Sequence, residues 1–174
     1  MTEQKKLPDI KILDFSPELQ PYFEALNRRW IEAYFEMESA DYETLQNAQT
    51  YIIDRGGAVL FAESAEDGGG GIIVGAVALK PAGNNIFELA KMAVAENYRG
   101  RGIGEKLCRA ALEKAALLGA RKVILYTNSI LEPALRLYRR IGFVQIPLEN
   151  SDYERSDIKM EIDLETSRDR INES

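Results

Sequence analysis

Hydrophobic residues recur along the chain with two spacings, one near 3.6 residues that is typical of helices and one of two residues that is typical of strands. The segment 16–35 has the helical spacing, with Ser16 as the expected N-cap and Pro17 at the first helical position. Further helices are predicted at 42–53, 103–118 and 133–140. Strands are predicted at 9–15, 58–63, 72–79, 86–94, 122–126, 143–146 and 158–164. The glycine-rich segment 67–71 is expected to be a hairpin tip between two of these strands.

The composition indicates one globular domain. The chain has 174 residues, of which 45% are hydrophobic and 29% charged, enough for a single core. We expect a flexible N-terminus at 1–8, one domain at 9–165 and a flexible tail at 166–174. No run of about 18 apolar residues occurs, so no membrane span is expected. A single cysteine allows no intramolecular disulfide, which fits a cytoplasmic location.

Charge and residue usage exclude several classes of function. The chain has no histidine, which removes Ser-His and Cys-His nucleophile systems and most zinc sites, and no metal site is expected. The net charge of −6 argues against a general nucleic-acid binder. The acidic stretch 36–43 has two interpretations: it attracts a cationic amine, or it caps the following helix through Asp41 and Glu43.

The sequence Tyr-Arg-Gly-Arg-Gly-Ile-Gly at 98–104 lies between the predicted strand 86–94 and the predicted helix 103–118. Glycines allow backbone N–H groups to converge, and a helix start adds about half a positive charge, so such a turn binds anions. Arg99 and Arg101 add formal charge at the same place. The turn is therefore a candidate cradle for a phosphorylated cofactor.

Spacing narrows the choice of cofactor. In the dinucleotide fingerprint G-x-G-x-x-G, counted from Gly100, the sixth position would be Glu105, a carboxylate facing a pyrophosphate. The ATP-binding loop needs G-K-[ST], whereas Gly104 is followed by Glu105 and Lys106. The remaining pattern is R-x-x-G-x-G, formed by Arg99, Gly102 and Gly104.

Three blocks in order resemble the GNAT superfamily of N-acetyltransferases: Glu-Leu-Ala-Lys-Met-Ala-Val at 88–94, the turn, and Ala-Leu-Arg-Leu-Tyr-Arg-Arg-Ile-Gly-Phe at 134–143. The resemblance implies an α/β (α+β) fold, with a mixed, mostly antiparallel sheet of about seven strands and helices on both faces. It also implies a β-bulge in the strand 86–94, which can switch the alternation that otherwise places Glu88, Met92 and Val94 on one face.

The resemblance implies acetyl-coenzyme A as the cofactor and assigns its contacts. The backbone N–H of Val94 would polarise the thioester carbonyl. Many family members have asparagine at the place of Leu131, whereas in this chain Asn128 lies three residues earlier. The expected cofactor-binding residues are Met92, Ala93, Val94, Arg99, Gly100, Arg101, Gly102, Ile103, Gly104 and Asn128.

Two side chains are candidate catalytic groups. By resemblance, Glu88 would accept a proton from the amine. Alternatively, it lies on a solvent-exposed face and pairs with Lys80 or Lys91. By resemblance Tyr138 would protonate the departing thiolate; alternatively it is a core tyrosine of an amphipathic helix.

The leading hypothesis is an N-acetyltransferase that moves an acetyl group to a primary amine of a small molecule, amino acid or peptide. The alternative is a sensor or protein-interaction module that holds acyl-coenzyme A without turnover. No nucleic acid or membrane partner is expected. The assembly state is left open, with a homodimer among the options.

Overall fold

The computed structural model describes residues 9–65, 70–149 and 154–165 and contains seven strands and four α-helices in these ranges. The strands are Asp9–Asp14 (β1), Ala58–Ala65 (β2), Ile72–Pro81 (β3), Ile86–Val94 (β4), Lys122–Thr127 (β5), Val144–Ile146 (β6) and Ile158–Asp163 (β7). The α-helices are Gln20–Tyr34 (α1), Ser39–Gln46 (α2), Ile103–Leu117 (α3) and Glu132–Ile141 (α4). Each predicted strand is present to within two residues at either end.

The seven strands form one sheet in the order β1-β2-β3-β4-β5-β7-β6. All neighbours pair antiparallel except β4 and β5, which are parallel. That parallel ladder has only three residue pairs and ends at Glu88 opposite Ile124. Beyond this pair the ends of β4 and β5 have no ladder pairing among the described residues, so the sheet is open there. The mixed, mostly antiparallel sheet of seven strands is confirmed.

Two hydrophobic cores lie on opposite faces of the sheet, which confirms helices on both sides. The first core contains Leu107 and Ala111 of α3 with Leu89 and Leu125 of the sheet. The second core packs α1 and α2 against β2 and β3, and its fully buried members include Phe23, Leu45 and Phe61. Alternating side chains of one strand supply both cores, because successive residues point to opposite faces.

A bulge in β4 switches the faces of its last residues. Ala78 of β3 lies opposite Ala90, whereas Ala76 lies opposite Ala93, so β4 has one residue more than β3 between these pairs. Lys91 lies in this interval with φ of 53°. Simple alternation is therefore wrong for this strand: Met92 and Val94 pack against the first core together with Leu89, on the face opposite Glu88.

The first turn of the predicted helix 16–35 is a 3₁₀ turn and not α-helical. Ser16 occupies the N-cap position of a short 3₁₀ turn at Pro17–Leu19 without a side-chain capping hydrogen bond, and the α-helix begins only at Gln20.

The predicted helix 42–53 is wrong in its limits. Helix α2 already begins at Ser39, because Glu38 and Asp41 form a capping box. It ends at Gln46, and the side-chain oxygen of the C-cap residue Asn47 accepts a hydrogen bond from the Thr50 N–H at 3.1 Å. A π-helical turn at Gln49–Ile53 follows.

Some predicted features fall outside the described residues. These are the loose ends at 1–8 and 166–174 and most of the hairpin tip at 67–71.

Candidate active site

A cavity of about 490 Å³ occupies the opening between β4 and β5. One end is lined by the glycine turn and the start of α3, and the other by α1 and the segment around Arg155. Eleven of the twelve predicted site residues line it together: Glu88, Met92, Ala93, Val94, Arg99, Gly100, Gly102, Ile103, Gly104, Asn128 and Tyr138. The twelfth, Arg101, does not line it.

The glycine turn has the backbone geometry of an anion cradle. Gly100 and Gly102 have φ of 75° and 79°, and a Cβ at either would meet no atom within 4 Å. The first helical bond of α3 runs from the Lys106 N–H to the Gly102 carbonyl at 3.1 Å. The N–H groups of Ile103, Gly104 and Glu105 therefore have no acceptor within the helix. These groups and the helix dipole favour an anion at this place.

Charged side chains around the turn are partly neutralised by each other. The carboxylate of Glu105 accepts hydrogen bonds from Arg109 at 3.1 Å and from Arg140 at 3.3 Å. The bond from Arg109 is the main reason that the pKa of Glu105 is lowered. Arg101 lies over the ring of Tyr98, 5.0 Å from its centre. The carboxylate that argues against a dinucleotide fingerprint is thus paired with arginine at the cavity wall.

The backbone of Val94 points into the opening. Val94 lies opposite Gly75, and the next N–H, of Ala95, donates to the Val74 carbonyl at 2.8 Å. In an antiparallel ladder this pattern leaves Val94 and Gly75 without mutual hydrogen bonds, so the N–H and C=O of Val94 point away from β3. The C=O accepts a bond from Arg99 Nε at 3.2 Å. The N–H faces the seam between β4 and β5, as an oxyanion donor would.

Tyr138 is buried, with 7% of its surface exposed, yet it lines the cavity. It lies on the inner face of α4, and its ring packs edge-on against Phe143 at 5.8 Å. Burial raises the pKa of its hydroxyl well above the ordinary value. The hydroxyl therefore remains protonated at neutral pH. Both interpretations of Tyr138 agree with this position, because it is a core residue and a cavity wall at once.

Glu88 lies at the point where β4 and β5 cease to pair. It belongs to the last pair of the β4–β5 ladder and lines the cavity beside it. Its cross-strand neighbour on β3 is Lys80, one of the two lysines considered as its partner. The other, Lys91, is bound to Asp41.

Asn128 follows β5 and is hydrogen-bonded to the segment around Arg155. Its side-chain nitrogen donates to the Arg155 carbonyl at 2.6 Å, and its side-chain oxygen accepts from the Ile130 N–H at 2.9 Å. Its contact with the cofactor stays a prediction, since both polar atoms already have protein partners.

A buried ion network was missed by sequence reasoning. Asp41 is fully buried and accepts hydrogen bonds from Lys91 and from both terminal nitrogens of Arg155, the latter two at 2.8 Å. Arg155 also contacts Glu38 at 2.9 Å. The two positive and two negative charges balance. A lysine within the apolar strand 86–94 was a signal for such a partner, because an unpaired charge is costly to bury.

The network perturbs both of its buried ionisable groups. Burial alone would raise the pKa of Asp41, but the hydrogen bonds from Arg155 and Lys91 outweigh it and lower that pKa to about 2. Burial lowers the pKa of Lys91 to about 8, against the opposing hydrogen bond from Asp41. Asp41 is thus held as a carboxylate. It takes part in helix capping, one of the two interpretations of the acidic stretch, and also binds Lys91 and Arg155.

The elements that form the cavity lie within a region that matches a known protein family. Residues 19–143, more than half of the chain, match the profile of the Acetyltransferase (GNAT) family. The chain belongs to this family. In the GNAT protein described here, the matched region contains the bulged strand, the glycine turn and Tyr138.

Curated relatives of this GNAT protein are similar to it over only part of their length. Mycothiol acetyltransferase of Corynebacterium aurimucosum is 41% identical over 70 residues, which are 40% of this chain and 23% of the relative. N-acetylaspartate synthetase of Xenopus tropicalis is 32% identical over 113 residues, 63% of this chain and 40% of the relative. The chain therefore spans less than half the length of these relatives.

A solved structure has the same fold. A GNAT-family acetyltransferase from Staphylococcus aureus superposes with a TM-score of 0.78 at 20% identity, covering 90% of this chain and 99% of that one. Within the described ranges, no helix is long and apolar enough to cross a membrane. The same ranges contain no group of three or more Cys, Asp or Glu side chains arranged to hold a metal ion.

The ion network predicts a distinct acid response of stability. The pKa of Asp41 is about 2 in the fold against an ordinary 3.8, so its stabilising charge is present above about pH 4 and is lost as the pH falls through 2. Asp41→Asn should lower the free energy of unfolding at pH 7 by about 3–5 kcal/mol, since Lys91 loses its buried counter-ion. In this variant the free energy of unfolding should also change less between pH 4 and pH 2 than in the wild type. Urea unfolding across this range measures both effects.

The control for this test is Asp9→Asn, which replaces an exposed carboxylate on β1. It should change the free energy of unfolding by less than about 0.5 kcal/mol. An acid slope in Asp41→Asn as steep as that of the wild type would contradict the assignment.

Proposed function

We propose that the protein is an acetyl-coenzyme A-dependent N-acetyltransferase. It would transfer the acetyl group to a primary amine of a small molecule, amino acid or peptide by direct attack in a ternary complex. The observation that supports this most is one cavity that joins three groups: the free N–H groups at the start of α3, the N–H of Val94 and the ring of Tyr138. The composition, with its single cysteine, favours a cytoplasmic location.

The cavity fits an extended phosphorylated thioester. Open space above Gly100 and Gly102 leaves room for phosphate oxygens close to the backbone. From there the cavity continues along Met92, Ala93 and Val94 to the seam. Acetyl-coenzyme A supplies the activated acetyl group, and the chain supplies binding, orientation and proton transfer. The names of the curated relatives, one of which makes N-acetylaspartate, agree with an amine as the acceptor.

Each candidate group has a task that its position allows. The Val94 N–H would donate to the carbonyl oxygen on which negative charge develops while the new C–N bond forms and the C–S bond breaks. Glu88 would accept the proton that the amine loses, directly or through water. Tyr138 would donate its proton to the sulfur. Its high pKa makes complete transfer uphill, so its main effect would be a hydrogen bond to the developing thiolate.

Two matched glycine substitutions test the cofactor site. Gly102 and Gly119 both have positive φ and open space at the Cβ position, so alanine at either imposes a similar strain on the fold. Only Gly102 belongs to the cradle. Coenzyme A should raise the melting temperature of the wild type and of Gly119→Ala, and have little effect on Gly102→Ala. At 100 times Kd the stabilisation should be about 2.7 kcal/mol.

The result that would reject the cofactor is equal stabilisation of both glycine variants, or of the wild type by ATP or NAD as well as by coenzyme A. A screen of amines with acetyl-coenzyme A then tests transfer itself. Tight binding without turnover of any amine would favour the non-catalytic sensor module.

Tyr138→Phe isolates the hydroxyl. It should lower kcat by about 10²-fold, the lower range for general acid catalysis, because a thiolate is already a fair leaving group. The Kd of coenzyme A should change less than about threefold, since the ring and its contact with Phe143 are kept. Steady-state kinetics and calorimetry measure the two constants. Tyr22→Phe, on an exposed tyrosine, is the control, and unchanged turnover in Tyr138→Phe would remove the acid role.

Glu88→Gln tests the proton acceptor through the pH dependence of kcat/KM. A carboxylate base is inactive when protonated, so the wild-type rate should fall on the acid side. The Gln variant should lose that limb and be slower at neutral pH. Glu88→Asp keeps a carboxylate and should keep the limb, although shifted. If kcat/KM of Glu88→Gln falls on the acid side as it does in the wild type, Glu88 is not the proton acceptor.

A further inference from the structure

A row of side chains crosses the sheet beside the candidate active site. The strand register places Lys80 opposite Glu88, Glu88 beside Ile124, and Ile124 opposite Glu161. Cross-strand partners point to the same face, so all four lie on one surface of the sheet. This is the face on which α1 and α2 pack, but their core involves β2 and β3. Polar side chains of β5 and β7 on this face remain half-exposed.

A groove of about 570 Å³ runs over this part of the sheet. It shares two lining residues with the active-site cavity, Glu88 and Tyr126. The groove therefore begins where the cavity ends, next to the carboxylate proposed to receive the proton of the amine. An acceptor that approaches Glu88 from this side would have its remaining atoms at the entrance of this groove.

The groove is more positive than the chain as a whole. Its walls carry four cationic side chains and two carboxylates, in a protein whose net charge is −6. Glu161 is engaged with Lys122 at 3.0 Å. The cationic side chains are Arg55, Lys80, Lys122 and Lys159.

A lysine stands beside each of the two shared residues. Lys80 is the cross-strand neighbour of Glu88. Lys159 is the cross-strand neighbour of Tyr126, with its ammonium 5.5 Å from the ring centre. The junction between cavity and groove is thus flanked by cations on both sides. Such an arrangement attracts an anion and repels a second ammonium group.

We propose that this groove binds an anionic group of the acceptor, a carboxylate or a phosphate, so that the preferred acceptors are amines that also carry negative charge. The inference rests on the proposed N-acetyltransferase function and adds the substrate class. Lys80 and Lys159 are the specificity-determining residues. Diamines, which place a cation in the groove, are poor acceptors.

The experiment compares acceptors that differ only in charge. One series contains ω-amino acids of increasing length, the second their primary amides, the third diamines of equal length, and the fourth aminoalkyl phosphates. We expect kcat/KM to be at least about tenfold higher for the best amino acid or aminoalkyl phosphate than for its neutral counterpart. The preference should shrink as salt is raised, because the groove is open to solvent. The first and fourth series show whether a carboxylate or a phosphate is preferred.

Variants assign the preference to the groove. The double variant Lys80→Gln/Lys159→Gln should bring the ratio of charged to neutral acceptors close to one, whereas Lys11→Gln, on exposed β1, should leave it unchanged. The ratio is the measured quantity, because any effect of Lys80 on Glu88 as the base applies to both acceptors and cancels.

The outcomes separate this inference from the function on which it rests. Equal rates for anionic and neutral acceptors, a preference for diamines, or a preference that survives the double variant would overturn the inference and leave the transferase intact. Coenzyme A binding without acetylation of any amine in the four series would overturn both.

Discussion

The short parallel ladder between β4 and β5 is the constraint on which the candidate site depends. It ends at Glu88 and Ile124, so the rest of each strand leaves polar backbone groups without a ladder partner. Buried N–H groups need acceptors, and a seam of this kind therefore binds a ligand or water. The start of α3 lies at the same opening, so its free N–H groups and that of Val94 face one cavity. In the proposed function, the backbone would both bind the phosphates of the cofactor and polarise its thioester carbonyl.

The bulge at Lys91 contributes to this opening and is held by long-range ion pairs. A left-handed conformation at a non-glycine residue costs about 1–3 kcal/mol and persists only where its surroundings impose it. Here the Lys91 side chain reaches Asp41 at the start of α2, and Asp41 in turn binds Arg155. One carboxylate therefore links α2, the bulge and the segment before β7. The wall of the cavity opposite the glycine turn is fixed by charge as well as by apolar packing.

Local signals made much of the fold predictable from the sequence. Gly100, Gly102 and Gly104 mark a turn before a helix, and the alternating strands follow from their apolar residues. The candidate residues of the turn were predicted from its glycines and arginines, and those of β4 from the motifs that resemble the family. Asp41 and Arg155 were not recognised, because a contact between residues 114 positions apart leaves no local pattern. The switch of faces in β4 depends on the register with β3, which no single strand encodes.

The position of β7 has a consequence for how the molecule can be made. This strand comes last in the described chain but lies inside the sheet, between β5 and β6. During synthesis β5 and β6 emerge first and expose edges that only Ile158–Asp163 can fill. The sheet therefore cannot be completed until that strand has left the ribosome. Until then the nascent chain carries open strand edges, the kind of surface that chaperones protect.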